Sequence, residues 1–306
     1  MLPRTGAHEG IASMAVLRLL GAFDLEQERG ETLSIPDSCA PVIAYLLCHR
    51  DRPADRKALA DRLWPDKPGR RARRCLATAL WRIRTIPGLE DLFDTSSSTR
   101  LRLNDEARIR VDLIEFEDAM EVLLHHRDAP DAQQIARATE AVALYRGDAF
   151  EQIDADWADL ERERLRMVFV DGLGLLARIS ERAGDPAGSV RFGARLAQLE
   201  PLREDIHRLL MRSYLELGAR AKAIAQYRIC QGELASALGL EPMEETRALY
   251  ERMIARADRR RAPDESRRAL EIARAVAQRL RSTKRSLTMT RTGLDDALEM
   301  ISRITD

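Results

Sequence analysis

The 306-residue sequence has few aromatic residues, few cysteines and no excess of charge of either sign. Aromatic residues make up 5% of the chain, whereas charged residues make up 33% and apolar residues 45%. This composition is typical of a soluble, helix-rich protein, and the length suggests two domains. Because 50 Lys and Arg offset 50 Asp and Glu, the overall charge indicates nothing about partners.

The cysteines are scattered and form no metal-binding motif. Neither a CxxC pair nor a Cys/His cluster is present, so a structural zinc site is not expected. His125 and His126 are adjacent on a predicted helix and point in different directions, which argues against a shared metal ion. We predict no metal and no cofactor, and we interpret the cysteines as reduced core residues of a cytosolic protein. They are Cys39, Cys48, Cys75 and Cys230.

Long apolar runs and the motifs of common enzymes are also missing. No apolar run approaches the ~18 residues of a membrane-spanning helix, and the N-terminus has no signal-peptide pattern. We therefore expect a cytoplasmic, nucleoid-associated protein with a disordered leader over residues 1–13. The phosphate-binding loop GxxxxGKS/T, the nucleophile motif GxSxG and the zinc motif HExxH are absent, so we predict that the chain is not an enzyme.

The charges are distributed unevenly along the chain. Residues 50–84 contain 12 Lys and Arg against four Asp and Glu, whereas residues 111–257 contain 19 against 27. A basic N-terminal unit beside an acidic second unit suits a nucleic-acid-binding module attached to a protein-contact module.

The basic segment predicts two helices joined by a turn. Asp55 occupies an N-cap position ahead of the first helix. Prolines and a glycine then interrupt the pattern, and a second helix begins near Arg70. Leu76, Leu80 and Ile83 form one apolar stripe along this second helix. The pattern is that of a helix-turn-helix, whose second helix enters the major groove of DNA.

The face of the second helix opposite the apolar stripe is rich in arginine. We predict that Arg71, Arg74, Thr78 and Arg82 contact bases in the major groove, with phosphate contacts from Arg70 and Arg73. The alternative is a solvated surface helix, which is what most arginine-rich faces are.

Further elements around this pair complete the pattern of a winged helix. Residues 15–23 and 32–35 predict strands, and a buried helix begins at Pro41. Two short strands, Leu92–Thr95 and Arg100–Leu103, predict a hairpin. We predict that this wing contacts the DNA backbone or minor groove through Arg100 and Arg102. A hairpin with no nucleic-acid role is the alternative.

From Val111 onward almost every segment is amphipathic with helical periodicity. Short breaks at Gly and Pro separate the predicted helices, as in a tetratricopeptide-like helical repeat. The spacing of Leu210, Tyr214, Ala223 and Tyr227 fits the packing positions of one such pair. The predicted helices are 112–126, 131–145, 156–183, 186–199, 202–217, 220–237 and 243–257.

The fold class predicted from these patterns is mostly α. A winged helix-turn-helix (14–110) follows the leader 1–13, an all-α tetratricopeptide-like domain spans 111–257, and a helical extension covers 258–306. Two helices, 265–281 and 294–304, are predicted in the extension. They either cap the helical repeat or pair between protomers.

Eight segments of the chain, in order and at their separations, form a distinctive set. They are Leu17–Phe23, Leu59–Trp64, Ala72–Arg84, Val111–Phe116, Ala143–Phe150, Leu199–Met211, Ile224–Arg228 and Leu238–Pro242. Together they resemble the bacterial regulators that join an OmpR-like winged helix to a bacterial transcriptional activator domain, as in the Streptomyces antibiotic regulatory proteins. The resemblance covers roughly residues 14–257.

The resemblance implies a sequence-specific DNA-binding transcriptional activator. Members of the family bind direct repeats at promoters as side-by-side dimers. They contact RNA polymerase holoenzyme, including sigma region 4 and the alpha C-terminal domain. The implied partners are therefore double-stranded promoter DNA, RNA polymerase and a second copy of the chain. Residue-level reasoning also leaves an adaptor, which bridges proteins without binding DNA, as an alternative.

Two residues depart from the family pattern inside the DNA-binding unit. Trp81 stands where relatives usually carry a small residue, so the helix reads a different DNA sequence or the position is buried. Thr99-Arg100 replaces a common Gly-Tyr pair, which leaves the geometry of the wing open.

Overall fold

The computed structural model describes residues 15–27, 30–255 and 271–283. These residues form two compact units that divide between Gly218 and Ala219. The predicted leader 1–13 and the predicted helix 294–304 lie outside the described residues. None of the helices in the described ranges is long and apolar enough to cross a membrane.

A four-stranded sheet opens the first unit. Its strand order is β3-β2-β1-β7, and only the β1–β7 pair is parallel. The prediction of one strand over 15–23 is wrong, because the chain turns at Gly21. This residue has a φ of +115°, a value that glycine adopts more readily than other residues do. The strands are β1 (Val16–Arg18), β2 (Asp24–Glu26), β3 (Thr32–Ser34) and β7 (Arg110–Val111).

Three helices and a second small sheet follow, as the winged-helix pattern predicts. The predicted cap is present, since Asp55 accepts a hydrogen bond from the Ala58 N–H at 2.8 Å. The second sheet has the order β4-β6-β5, and β5 and β6 form the predicted hairpin. The elements are α1 (Ala40–Cys48), β4 (Ala54–Asp55), α2 (Arg56–Leu63), α3 (Gly69–Arg84), β5 (Phe93–Asp94) and β6 (Arg100–Leu103).

Five helices complete the first unit, and their bounds agree with the predicted ones within two residues. Consecutive helices pack together, α4 on α5, α6 on α7, and α7 on α8. A Cβ on Gly172 would lie 2.5 Å from the Met120 Sδ, so this glycine permits close approach of two helices. The helices are α4 (Asp112–His125), α5 (Ala132–Leu144), α6 (Asp156–Arg182), α7 (Pro186–Leu199) and α8 (Glu204–Glu216).

A buried aspartate joins the first sheet to these helices. The carboxylate of Asp112, at the start of α4, accepts hydrogen bonds from the N–H groups of Leu19 at 2.7 Å and Leu20 at 3.1 Å. Burial raises the pKa of this carboxyl to about 6, against the effect of these hydrogen bonds and of Arg146, whose Nη2 lies 3.6 Å away. Leu20 also forms a β-bridge to Ala149.

A cluster of ion pairs connects the end of α1 to α4 and α6. The Arg50 guanidinium binds Glu117, and it also donates to Asp118 at 2.7 Å. Arg164 donates to Glu117 at 2.5 Å and to Glu161 at 2.7 Å. The winged helix and the first five helices of the predicted second domain therefore share one compact unit, although the sequence pattern changes at residue 111.

The second unit contains α9 (Arg220–Leu238), α10 (244–255) and α11 (271–283). The α9 helix ends at Gly239, whose φ of +66° gives the left-handed cap. The rings of Tyr227 and Tyr250 stack with centroids 3.9 Å apart, which packs α9 against α10. The Arg220 guanidinium adds hydrogen bonds to the carbonyls of Met253 and Ile254.

Candidate nucleic-acid interface

The α3 helix has one buried face and one exposed face. The predicted stripe of Leu76, Leu80 and Ile83 is buried, together with Ala72 and Ala79. The side chains predicted to contact DNA all lie on the exposed part of the helix. These are Arg70, Arg71, Arg73, Arg74, Thr78 and Arg82.

The first two turns of α3 concentrate positive charge where a helix disfavours it. The helix begins after Pro68 without a side-chain cap, and its first turn contains no acidic residue. The N-terminal end of a helix carries a partial positive charge, so arginines there are repelled and anions are attracted. No carboxylate in the part of the chain that the structure describes pairs with the arginines of these turns, Arg70, Arg71, Arg73 and Arg74.

Arg82 differs from the other predicted contacts on α3. Its Nη1 donates a hydrogen bond to the Ser38 hydroxyl at 2.9 Å, just before α1. This contact directs the guanidinium toward the flank of the helix. Arg82 therefore lies at the edge of the exposed face.

The β5–β6 hairpin presents one free and one paired arginine. Leu101 is buried between them and anchors the strand. The Nε of Arg102 donates to the Asp94 carboxylate at 3.0 Å. Hydrogen bonds from Ser96 and from Arg102 lower the pKa of Asp94 to about 2, so the carboxylate stays charged. Arg100 is exposed, and its guanidinium has no partner within the described ranges.

The tip of the wing closes without a glycine. The Ser97 hydroxyl accepts hydrogen bonds from the N–H groups of Thr99 at 3.3 Å and Arg100 at 3.1 Å. The serine therefore orders the backbone at the tip, and Arg100 enters β6 in extended geometry. This explains how the hairpin forms with Thr99-Arg100 at this position.

The wing is fixed to the helix-turn-helix by several contacts. β4, directly before α2, pairs with β6. Thr95 on the wing accepts two hydrogen bonds from guanidinium groups. Arg56 donates to its carbonyl and Arg84 donates to its hydroxyl, both at 3.4 Å. Because α2, α3 and the wing are held together, their exposed cations form one fixed surface. Arg84 was absent from the predicted site, although it lies two residues beyond Arg82.

One of the two predicted alternatives for Trp81 is that its side chain is buried. The possibility that this residue is buried is wrong, because Trp81 is 66% exposed. Its spacing of seven residues from Arg74 is the sequence signal that places both on one face.

No group of three or more His, Cys, Asp or Glu arranged to hold a metal ion occurs in the described residues. The four cysteines are free thiols. Cys39 and Cys230 are buried, whereas Cys48 and Cys75 are partly exposed.

Comparison with known proteins identifies the helical part of the chain. Residues 111–254 match the family model of the bacterial transcriptional activator domain. The regulatory protein AfsR of Streptomyces griseus is 28% identical over 218 residues, which cover 71% of this chain and 22% of AfsR. AfsR of Streptomyces coelicolor is 28% identical over 232 residues, which cover 74% of this chain and 23% of that protein. The chain thus spans about a fifth of the length of these relatives.

A solved structure supports the fold. The structure of Mycobacterium tuberculosis EmbR in complex with a low-affinity phosphopeptide superposes with a TM-score of 0.59 and 22% sequence identity. The match covers 79% of this chain and 65% of EmbR. It confirms the predicted fold class, a winged helix followed by a tetratricopeptide-like helical region. The matched family consists of transcriptional regulators and not of enzymes, in agreement with the prediction. Residues 111–254 thus match the bacterial transcriptional activator domain, and the chain is distantly similar to the AfsR regulatory proteins.

Proposed function

We propose that this regulator binds promoter DNA sequence-specifically and activates transcription. The α3 helix enters the major groove, where Arg71, Arg74, Thr78 and Arg82 contact bases. Arg70 and Arg73 contact phosphates near the N-terminus of the helix, and Arg100 and Arg102 of the wing contact the backbone or minor groove.

The observation that carries this proposal is the unneutralised arginine face at the start of α3. Its side chains are exposed, without carboxylate partners in the described residues, and placed at the positive end of a helix. Such an arrangement is repulsive in isolation and becomes favourable when phosphates supply the missing negative charge. A merely solvated helix has no need to concentrate cations at that end.

The wing and Arg82 enter the proposal with different expected strengths. Arg100 is free to bind an anion, whereas Arg102 must share its guanidinium with Asp94. Arg82 must leave or share its contact with Ser38. We therefore expect Arg100 and Arg74 to contribute more to DNA affinity than Arg102 and Arg82.

The finer parts of the proposal rest on the family. Two copies bind a direct repeat side by side, and the activator domain contacts RNA polymerase holoenzyme through sigma region 4 and the alpha C-terminal domain. The acidic balance of residues 111–257, with 19 basic against 27 acidic residues, suits a surface that meets protein and not DNA.

Binding-site selection tests the proposal directly. Purified full-length protein is mixed with fragmented genomic DNA of its own source, and the retained fragments are sequenced. We expect a short motif repeated head-to-tail at about one helical turn of DNA. Salt-independent retention, or none, would instead favour the adaptor that bridges proteins without binding DNA.

Two variants test the assignment of the face. We expect Arg74→Ala and Arg82→Ala to leave the folded structure intact and to weaken binding, with a cost of ~1–3 kcal/mol at particular base pairs for a base contact. Binding is measured by fluorescence anisotropy on the selected duplex. Arg228→Ala, which removes an exposed arginine of α9, is the matched control. Unchanged affinity of both α3 variants at moderate salt would contradict the face assignment.

A further inference from the structure

Trp81 is an exposed aromatic residue on a helix whose other large apolar side chains are buried or partly buried. Its exposed fraction is 66%, and no other aromatic residue in the described ranges is exposed to this degree. Tryptophan is highly buried on average in folded proteins, because its ring loses much contact with water when covered. Among the described residues, Trp81 belongs neither to the hydrophobic core nor to the apolar side chains packed against it.

The helix geometry places Trp81 on the same side of α3 as the exposed arginines, in the last turn of the helix. Trp81 follows Arg74 by two turns and Thr78 by about one turn, and all three side chains are exposed. Ile83 and Leu76, on the opposite face, are buried. The guanidinium of Arg82, the next residue, donates a hydrogen bond to Ser38.

The chemistry of an indole ring selects among the groups of a DNA groove. Phosphates form ion pairs with guanidinium groups but provide no apolar surface for an indole ring to contact. The 5-methyl group of thymine is the apolar group that the major groove presents. The ring lies on the same side of α3 as Arg74 and Thr78, the residues that the proposed function assigns to base edges.

We propose that Trp81 is a specificity-determining residue that contacts the 5-methyl group of thymine in the major groove. The inference rests on the proposed function, because it requires α3 to enter DNA. It adds a base preference for thymine at the position under Trp81, beyond the contacts assigned to the arginines.

Tryptophan fluorescence tests whether the ring enters the groove. The chain has three tryptophans, so the W64F/W157F variant retains Trp81 as the sole fluorophore. The probe is a pool of short random-sequence duplexes enriched by retention on the full-length protein. Fluorescein anisotropy reports binding, and acrylamide quenching reports access to Trp81. We expect DNA to reduce the quenching constant of Trp81 severalfold.

A second variant avoids substituting the buried Trp157. Trp81→Phe in the natural background removes the exposed tryptophan. The difference in acrylamide quenching between the natural protein and Trp81→Phe then reports access to Trp81. Circular dichroism and thermal unfolding establish that each variant is folded. DNA that binds by anisotropy while acrylamide still reaches Trp81 freely would overturn the inference and leave the proposed function intact.

Replacing thymine by uracil tests the contact itself. The enriched pool is amplified in parallel with dTTP or dUTP, which differ at this position by one methyl group. We expect the natural protein to bind the uracil pool about fourfold more weakly, corresponding to ~0.8 kcal/mol for one methyl group, and Trp81→Ala to bind both pools equally.

The outcomes separate the two hypotheses. Equal binding of the two pools by the natural protein, or an undiminished preference in Trp81→Ala, would overturn the thymine contact alone. Failure of the full-length protein to enrich or bind any pool would overturn the proposed function, and the inference with it.

Discussion

Arginines serve opposite purposes in α3 and α6. In α6 four of the five arginines have an acidic partner: Arg162 binds Asp159, Arg164 binds Glu117 and Glu161, Arg166 binds Glu200, and Arg178 binds Asp205. The sequence of α3 contains no acidic residue, and the arginines of its first turns have no such partner among the described residues. The first set stabilises the fold, whereas the second set is available to an external anion. Arginine content alone therefore does not identify a DNA-binding face; the placement of carboxylates does.

The largest effect on stability is expected where the paired arginines converge. Glu117 is mostly buried and receives both Arg50 and Arg164. We expect Glu117→Ala to lower the free energy of unfolding by ~2–4 kcal/mol, because two partly buried guanidinium groups each lose one of their two carboxylate partners. Urea unfolding followed by circular dichroism measures the change. Glu121→Ala, at an exposed position of the same helix, is the control. Equal stability of the two variants would show that the ion pairs of the α6 arginines do not stabilise the fold, contrary to the comparison with α3.

A smaller effect is expected at Asp112, where burial outweighs the nearby arginine. Its pKa of about 6 lies above the value of ~3.9 in an unfolded chain, so the folded state binds more protons between these values. Its contribution to the free energy of unfolding therefore falls as the pH rises from 4 to 6.

Asp112→Asn removes this titration. We expect the stability of the variant relative to the natural protein to rise by ~1–3 kcal/mol between pH 4 and pH 7. Urea unfolding at a series of pH values measures the difference, in which the titration of all other groups largely cancels. A difference that does not change with pH would contradict the raised pKa.

The smallest effect on stability is expected for the unpaired arginines. We expect R70A/R73A to change the free energy of unfolding by less than ~0.5 kcal/mol, because no folded-state ion pair is lost. The slope of log K against log salt for DNA binding should decrease in magnitude by about 2, near 0.9 for each phosphate contact. R178A/R212A removes two arginines that have acidic partners and serves as the comparison. An equal decrease of the salt slope in R70A/R73A and R178A/R212A would contradict the distinction between unpaired and paired arginines.

The elements with strong local patterns were predictable from sequence. The bounds of α4 to α8 follow from helical periodicity and from breaks at Gly and Pro, and the α3 stripe follows from spacing. The two-residue strand β7 was not predicted, because its parallel pairing with β1 leaves no local signal. The turn at Gly21 was missed because the apolar run continues through it.

The partners of individual side chains were the least predictable part of the candidate site. Arg102 was predicted as a DNA contact, and nothing in the hairpin sequence shows that Asp94 lies beside it across the strand. Ser38 likewise reaches Arg82 only because α1 packs on α3. Exposure of Trp81 also depends on the packing of the whole unit, since its sequence position allowed both a buried and an exposed ring.

The hydrogen bonds from Leu19 and Leu20 to Asp112 have a consequence for the order in which the protein folds during translation. The parallel neighbour of β1, strand β7, and the carboxylate that accepts hydrogen bonds from Leu19 and Leu20 are translated more than 90 residues after β1. The bridge from Leu20 to Ala149 closes later still. A nascent chain that ends at residue 110 leaves these backbone N–H groups without their acceptor. The N-terminal sheet is therefore completed only after translation has passed residue 112. Cutting the gene at the apparent domain boundary would therefore yield a fragment with an unfinished sheet.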